Sequence, residues 1–259
     1  MRVLLPPSES KRPDGGNAIF RAENLLFQAD LGETRKRVLD AVVAVSGDTE
    51  RAQKAFKLGA KATGELQHNL RLSDAQGLAA IERYVGVLFD EIEIDELDEA
   101  SRGWIADHVF IQSALFGLVS ASDEIPPYRL SASSRLTDEL GATLKKTWLE
   151  AFADFEWPEA FMLDLRSKDY AALAPIPDTV EWLTLDIVQR TEDGGVRALN
   201  HFNKRAKGDL VKRLARSQAT ITSQAEFLAW ANDEGLEITE TGEPHHATLV
   251  TTLGVVAAR

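Results

Sequence analysis

The chain predicts a mixed α/β fold built as one domain, and three observations carry that prediction. Helical and strand patterns interleave along its whole length, no repeat period or long Ser/Pro linker divides it, and 44% hydrophobic residues over 259 positions suffice for a sizeable core. A length prior of about 150 residues per domain allows one or two domains, and the missing linker favours one spanning 1–259.

The elements follow in order. Val3 to Leu5 reads as a buried strand that runs into the polar loop PPSESKRPDGG, where Pro and Gly stop the strand and leave Ser and Lys side chains at a sheet edge. Helical patterns follow at 33–45, 48–58 and 73–83, the last with Ser73 and Gln76 in capping-box spacing. Residues 90–99, DEIEIDELDE, hold seven acids and read as a solvated loop or helix face. The central glycine and ligand spacing of a calcium loop are missing. Val109 to Leu115 reads as a buried strand, Thr137 to Phe152 as an amphipathic helix, Phe161 to Leu165 as a buried strand and Trp182 to Val188 as an alternating one. Asp193-Gly194-Gly195 predicts a turn that returns a strand at 196–200. A helix at 222–232 ending near Gly235 and a strand at 247–251 complete the chain.

Composition excludes several functions. With no cysteine there are no disulfides, thiolate metal sites, iron–sulfur clusters or thiol peroxidase chemistry. The apolar start stops at Pro6-Pro7, short of a signal sequence or spanning helix, which predicts a cytoplasmic protein without membrane contact. A formal net charge of -12 confines any contact with nucleic acid to a patch. One candidate stands out: KRAKGDLVKRLAR at 204–216, six cations against one acid, with Gly208 between two short helical stretches. The same run also reads as a solvated helix face paired with nearby acids.

No Walker A sequence, GxGxxG, GxSxG or HExxH occurs, and the five histidines lack metal-ligand spacing, so neither a cofactor nor a metal is predicted. The remaining polar groups cluster beside strands: Ser8 and Lys11 after the first, Gln112 and Ser113 inside VFIQSAL, Tyr128-Arg129 after Pro126-Pro127, and Ser167 and Tyr170 after FMLDL. If those strands share a sheet, their ends converge on a pocket of Lys, Arg, Tyr and Ser groups suited to an anionic or nucleobase-like ligand. Lys11, Tyr128 and Arg129 are its catalytic candidates. The alternative for each cluster is ordinary loop chemistry.

PPSESK after the first strand, YVGVLFD at 84–90, LFGLVSASDEIPPYRL at 115–130, LDLRSKDYAAL at 163–173 and FNKRAKG at 202–208 resemble, in that order, the YaaA family of bacterial peroxide-stress-resistance proteins. The resemblance implies a cytoplasmic protein that protects against peroxide by limiting iron-linked DNA damage. It also implies a single α/β domain of unusual topology, a mixed sheet flanked by helices, that binds DNA through a helix-hairpin-helix element at about 201–216. On that view Lys204, Arg205, Lys207, Gly208, Lys212 and Arg213 hold the DNA backbone, with little or no sequence preference. The chain departs from the usual hairpin in having one glycine rather than two, followed by Asp209, which fits an N-cap for a helix starting at Leu210. Two functions stay open: a DNA-binding stress protein, and an enzyme acting on a nucleobase or nucleoside with Lys11 as nucleophile or acid/base. A third, engagement of a basic partner by the acidic run, ranks below them.

Overall fold

A computed structural model of the chain describes residues 1–190, 196–198 and 202–251. Strand β1 (Arg2–Leu5) buries Val3, Leu4 and Leu5 completely, the unalternating pattern of a strand covered on both faces. It pairs in parallel with β3 (Val109–Ser113) on one side and β6 (Met162–Asp164) on the other. Beyond β6 lie β7 (Trp182–Arg190) and β10 (His246–Val250), both parallel. Antiparallel β4 (Gly117–Ser120) and β9 (Glu237–Glu240) close the two edges, giving the order β4-β3-β1-β6-β7-β10-β9. Strand β8 (Val196–Ala198) returns antiparallel on β7. A separate two-stranded ribbon joins β2 (Leu78–Ala79) to β5 (Glu124–Ile125). The structure is thus mixed α/β.

The helices are α1 (Gln28–Ser46), α2 (Thr49–Phe56), α3 (Leu66–Leu70), α4 (Ala80–Arg83), α5 (Val87–Ile92), α6 (Glu99–His108), α7 (Thr137–Leu140), α8 (Leu144–Ala151), α9 (Lys168–Ala171), α10 (Phe202–Ser217) and α11 (Gln224–Asp233). Their starts follow local chemistry. Asp48, Asp98, Thr143 and Ser223 each accept a backbone N–H three residues on, caps contributing about 1 kcal/mol apiece. Among the described residues no helix is long and apolar enough to cross a membrane.

Chain order places a functional crevice. From β1 the chain goes to β3 on one side, and it returns to the other side of β1 only with β6. The carboxyl ends of β1 and β6 therefore diverge at a topological switch point, where open α/β sheets bind ligands.

Several elements differ from the sequence reading, each for a tertiary reason. The predicted helix at 73–83 is instead a turn, strand β2 and the short α4. Backbone groups of 75–77 are taken by Phe20 and Ala18, and Ser73 bonds its neighbour Asp74 rather than capping a helix. The helix expected from Thr137 to Phe152 breaks into α7 and α8 because Gly141, at φ +69°, ends the first and Thr143 caps the second. Strand β3 stops at Ser113, short of Leu115. The predicted turn at 193–195 lies outside the described residues.

The largest correction concerns the basic element. Among the described residues the predicted helix-hairpin-helix at about 201–216 is absent: α10 is one continuous helix from Phe202 to Ser217, and Asp209 lies inside it, paired with Arg213 at 2.9 Å, rather than capping a second helix. Gly208 is needed for close approach, not for a turn. A Cβ there would lie 2.3 Å from the Leu88 carbonyl oxygen and 2.8 Å from Glu91 Cβ of α5. Buried Ala206, Leu210, Val211 and Leu214 complete the packed face, each large apolar side chain contributing roughly 1.5–3 kcal/mol.

Gly208→Ala separates helix packing from intrinsic propensity. Alanine is favoured over glycine in a helix by about 1 kcal/mol, yet here its methyl meets backbone and forces α10 off α5. The expected net result is destabilisation of about 1–3 kcal/mol in urea unfolding. Unchanged or increased stability would show that α10 has room at this position.

Candidate functional site

Three of the clustered polar groups meet around Lys11. Its ammonium lies 4.0 Å from the centre of the Tyr128 ring and 5.3 Å from that of Tyr84, and it donates to the carbonyls of Ser8 and Glu9 at 3.0 and 3.1 Å. Burial, reinforced by the Arg129 cation and opposed by Glu65 and Glu9, pulls its pKa from 10.5 to about 7. Arg129 itself is held by Glu9 at 2.9 Å and Glu65 at 3.3 Å.

Behind the amine runs a chain of hydroxyls. Ser113 Oγ accepts the N–H groups of Leu115 and Phe116, so its own hydrogen goes to the Tyr128 hydroxyl at 2.8 Å. The Tyr128 hydroxyl lies 2.7 Å from that of Tyr84, which completes the chain. Desolvation holds Tyr84 and Tyr128 well above ordinary phenol pKa values, so both stay neutral donors. Tyr170, raised by the same cause, lies close enough to Tyr128 and Arg129 to feel both electrostatically. Tyr84 was absent from the residues singled out. The signal that finds it is YVG itself, where Gly86 at φ +115° leaves only 3.2 Å between its Cβ position and Ser8 Oγ.

A distinct cavity of about 580 Å³ opens at the β1/β6 switch point. Pro6 borders it from loop one, Ser167 and Lys168 from the turn after β6, and Asn203, Lys204 and Lys207 from the first two turns of α10. Of the predicted pocket residues only Ser167 lines this cavity; Ser8, Lys11, Gln112, Ser113, Tyr128, Arg129 and Tyr170 do not. Gln112 connects the two regions. Its Oε1 accepts from Arg166 at 3.3 Å, while its buried Nε2 has no partner. Arg166 is locked by a bidentate pair with Asp164, at 2.9 and 2.7 Å, and by the Ala174 carbonyl.

The six basic residues do not share one exposed face. Arg205 pairs with Glu91 at 2.7 Å, Lys212 with Glu93 at 3.1 Å and Glu91 at 3.4 Å, and Arg213 with Asp209 and Glu234. Lys207 is buried and donates to the Leu165 carbonyl at 2.8 Å, with a pKa lowered by desolvation to about 8 against the pull of Asp164 and Asp186. The acidic run therefore meets a basic partner within the same chain. Its Asp95 also pairs with Arg12 of loop one at 3.1 Å. Lys204 stays exposed and has no ion pair among the described residues. No cluster of metal-ligating side chains occurs among them.

Comparison with known proteins covers nearly the whole chain. The family described as peroxide stress protein YaaA matches residues 1–241. A UPF0246 protein of Corynebacterium efficiens is 34% identical over 252 residues, spanning 96% of this chain and 98% of its own. A UPF0246 protein of Streptomyces coelicolor is 34% identical with 92% of each covered, and one of Streptococcus pneumoniae is 24% identical over 89% of this chain and 92% of its own.

The depressed amines have a consequence for stability. Lys11 binds a proton in the unfolded chain up to pH 10.5 but in the fold only up to about 7, so between those values the unfolded state holds more protons and stability rises with pH. Lys207 adds the same sign from about pH 8. Between pH 7 and 9, below the range where tyrosines titrate, the urea midpoint should rise and Lys11→Met should flatten part of that rise. An identical slope in the variant would mean that Lys11 titrates normally.

Proposed function

The chain belongs to the peroxide stress protein YaaA family, and we propose that its part in peroxide resistance is chemical: a cytoplasmic enzyme acting on a nucleobase or nucleoside at Lys11. The observation that supports this is the amine held over the Tyr128 ring, with a pKa of about 7 and Arg129 beside it. At neutral pH a large fraction of such an amine is uncharged and available as nucleophile or base, where an ordinary lysine is almost fully protonated. The buried, neutral hydroxyls of Tyr84 and Tyr128 and the rings beneath the amine keep its surroundings poor in water, which favours the uncharged form.

Complementation of a peroxide-sensitive strain tests the reading with two variants. Lys11→Met removes the amine, whereas Lys11→Arg keeps the cation over the rings but cannot deprotonate. Both should fold and both should fail. Rescue by arginine would make Lys11 a structural cation, and full complementation by methionine would remove it from function altogether.

Backbone binding to DNA, which would place the protein where iron-linked damage occurs, is a second reading. It is favoured by Lys204 and Lys168, both exposed and both on the wall of the cavity. Affinity for duplex DNA should then fall linearly in log–log form with salt, by about 0.9 per neutralised phosphate, and the Lys168→Glu, Lys204→Glu double variant should bind at least about tenfold more weakly with an unchanged unfolding midpoint. Salt-independent affinity, or full affinity in the double variant, would count against backbone binding. Lys207 is unsuitable for this test because it is buried.

A further inference from the structure

The cavity at the switch point does not contain Lys11 and calls for an occupant of its own. Its wall is largely apolar, formed by Leu88, Ile176, Leu185, Pro175 and Trp182, and its volume of about 580 Å³ lies within the roughly 300–1,000 Å³ typical of small-molecule sites. The same wall carries three lysines, Lys168, Lys204 and Lys207. Lys207 is buried to all but 8% of its surface, yet its ammonium makes a single hydrogen bond, to the Leu165 carbonyl, among the described residues. An ammonium carries three donors, so a buried one with a single acceptor is stabilised by an anion brought into the cavity.

Two further features have the same sign. The first two turns of α10, a helix of 16 residues, supply Asn203, Lys204 and Lys207 to the wall, and a helix N-terminal end carries partial positive charge. Lys168 adds an exposed cation from the turn after β6. Of the acids at the wall, Asp164 is already neutralised by its bidentate pair with Arg166. Asp186 lies 3.7 Å from His246 and is largely exposed.

We propose that this cavity binds a nucleoside monophosphate, with the phosphate between Lys207, Lys204 and Lys168 and the base against the apolar wall. A flat heterocycle suits the apolar part of the wall, Trp182 included, and a dianionic phosphate suits its lysines. Neither half of the ligand alone uses both. The site goes beyond the Lys11 reading and does not depend on it.

Calorimetric titration of the full chain with adenosine 5′-monophosphate, adenosine and inorganic phosphate tests the assignment. The nucleotide should bind more tightly than either fragment, by about tenfold or more, since a charge-assisted contact and apolar burial act together. Lys207→Met should lose about tenfold of that affinity, and Lys168→Ala and Lys204→Ala about threefold each while keeping the unfolding midpoint. If Lys207→Met fails to fold, the two exposed variants decide. A single-stranded oligonucleotide that displaces the nucleotide would show that the site accepts it within a strand, and failure to displace it would identify the free nucleotide; either outcome supports the site. Lys11→Met should bind the nucleotide normally, which separates this site from the Lys11 chemistry. Phosphate binding as tightly as the nucleotide, no binding of the nucleotide, or nucleotide affinity untouched in all three lysine variants would overturn the proposal.

Discussion

The central placement of a four-residue strand constrains everything else in this molecule. β1 is hydrogen-bonded in parallel to β3 and β6 at once, and its three apolar side chains are fully buried. A strand so placed cannot shift by one residue without moving its whole apolar set, so the register of the sheet and the exit point of loop one are fixed together. Because β3 and β6 both run parallel to β1, their following turns emerge at the same sheet end as loop one. Lys11, Ser113 and Ser167, more than 150 residues apart at the extremes, become neighbours of one edge for that reason.

Buried guanidinium groups lock the turns around that edge. Arg35 donates to the carbonyls of Phe116 and Leu118, both at 2.8 Å, and to that of Leu26, tying α1 to the β3–β4 turn. Arg83 reaches the carbonyls of Ile125, Asp14 and Gln76, joining loop one to the β2–β5 ribbon. Burial lowers both pKa values to about 10, still well above neutrality, so both keep their charge, and nearly all of their hydrogen bonds go to backbone carbonyls. These contacts hold the polypeptide near Tyr84 and Tyr128, whose hydroxyls lie 2.7 Å apart.

Several strands and helices were legible in the sequence because their signals are local: a buried apolar run at 3–5, an alternating one at 182–188, a helical pattern at 33–45 inside α1 and another at 222–232 beside α11. What the sequence hid is non-local. Gly208 looks like a hinge when read by itself, and only the Leu88 carbonyl pressed against it shows that the glycine serves helix crossing. The acids at 90–99 look solvated, yet Glu91 and Glu93 pair with Arg205 and Lys212 more than 100 residues away. Ser73 and Gln76 have the right spacing for a capping box, but their backbone is claimed by residues 18–20. The grouping of Lys11 with Tyr128 and Arg129 was anticipated, whereas the separation of that group from the Ser167 cavity required the strand order.

The pairing of acidic and basic runs inside one chain changes what net charge says about this protein. A basic segment in a background of -12 looks like a site reserved for an external anion, but Arg205 and Lys212 are balanced by acids of α5 and the turn after it, and Arg213 by Asp209 and Glu234. Such balance at an exposed or half-exposed helix crossing contributes little to stability, roughly 0–1 kcal/mol per pair, and instead sets which faces of α5 and α10 meet. Docked that way, Gly208 sits against Leu88, and the next buried position toward the helix start, Lys207, is directed at the Leu165 carbonyl beside the end of β6. The charge pattern that first suggests a surface for a polyanion is therefore also what carries one amine into the interior, beside the Asp164–Arg166 pair, where its environment is set by burial rather than by solvent.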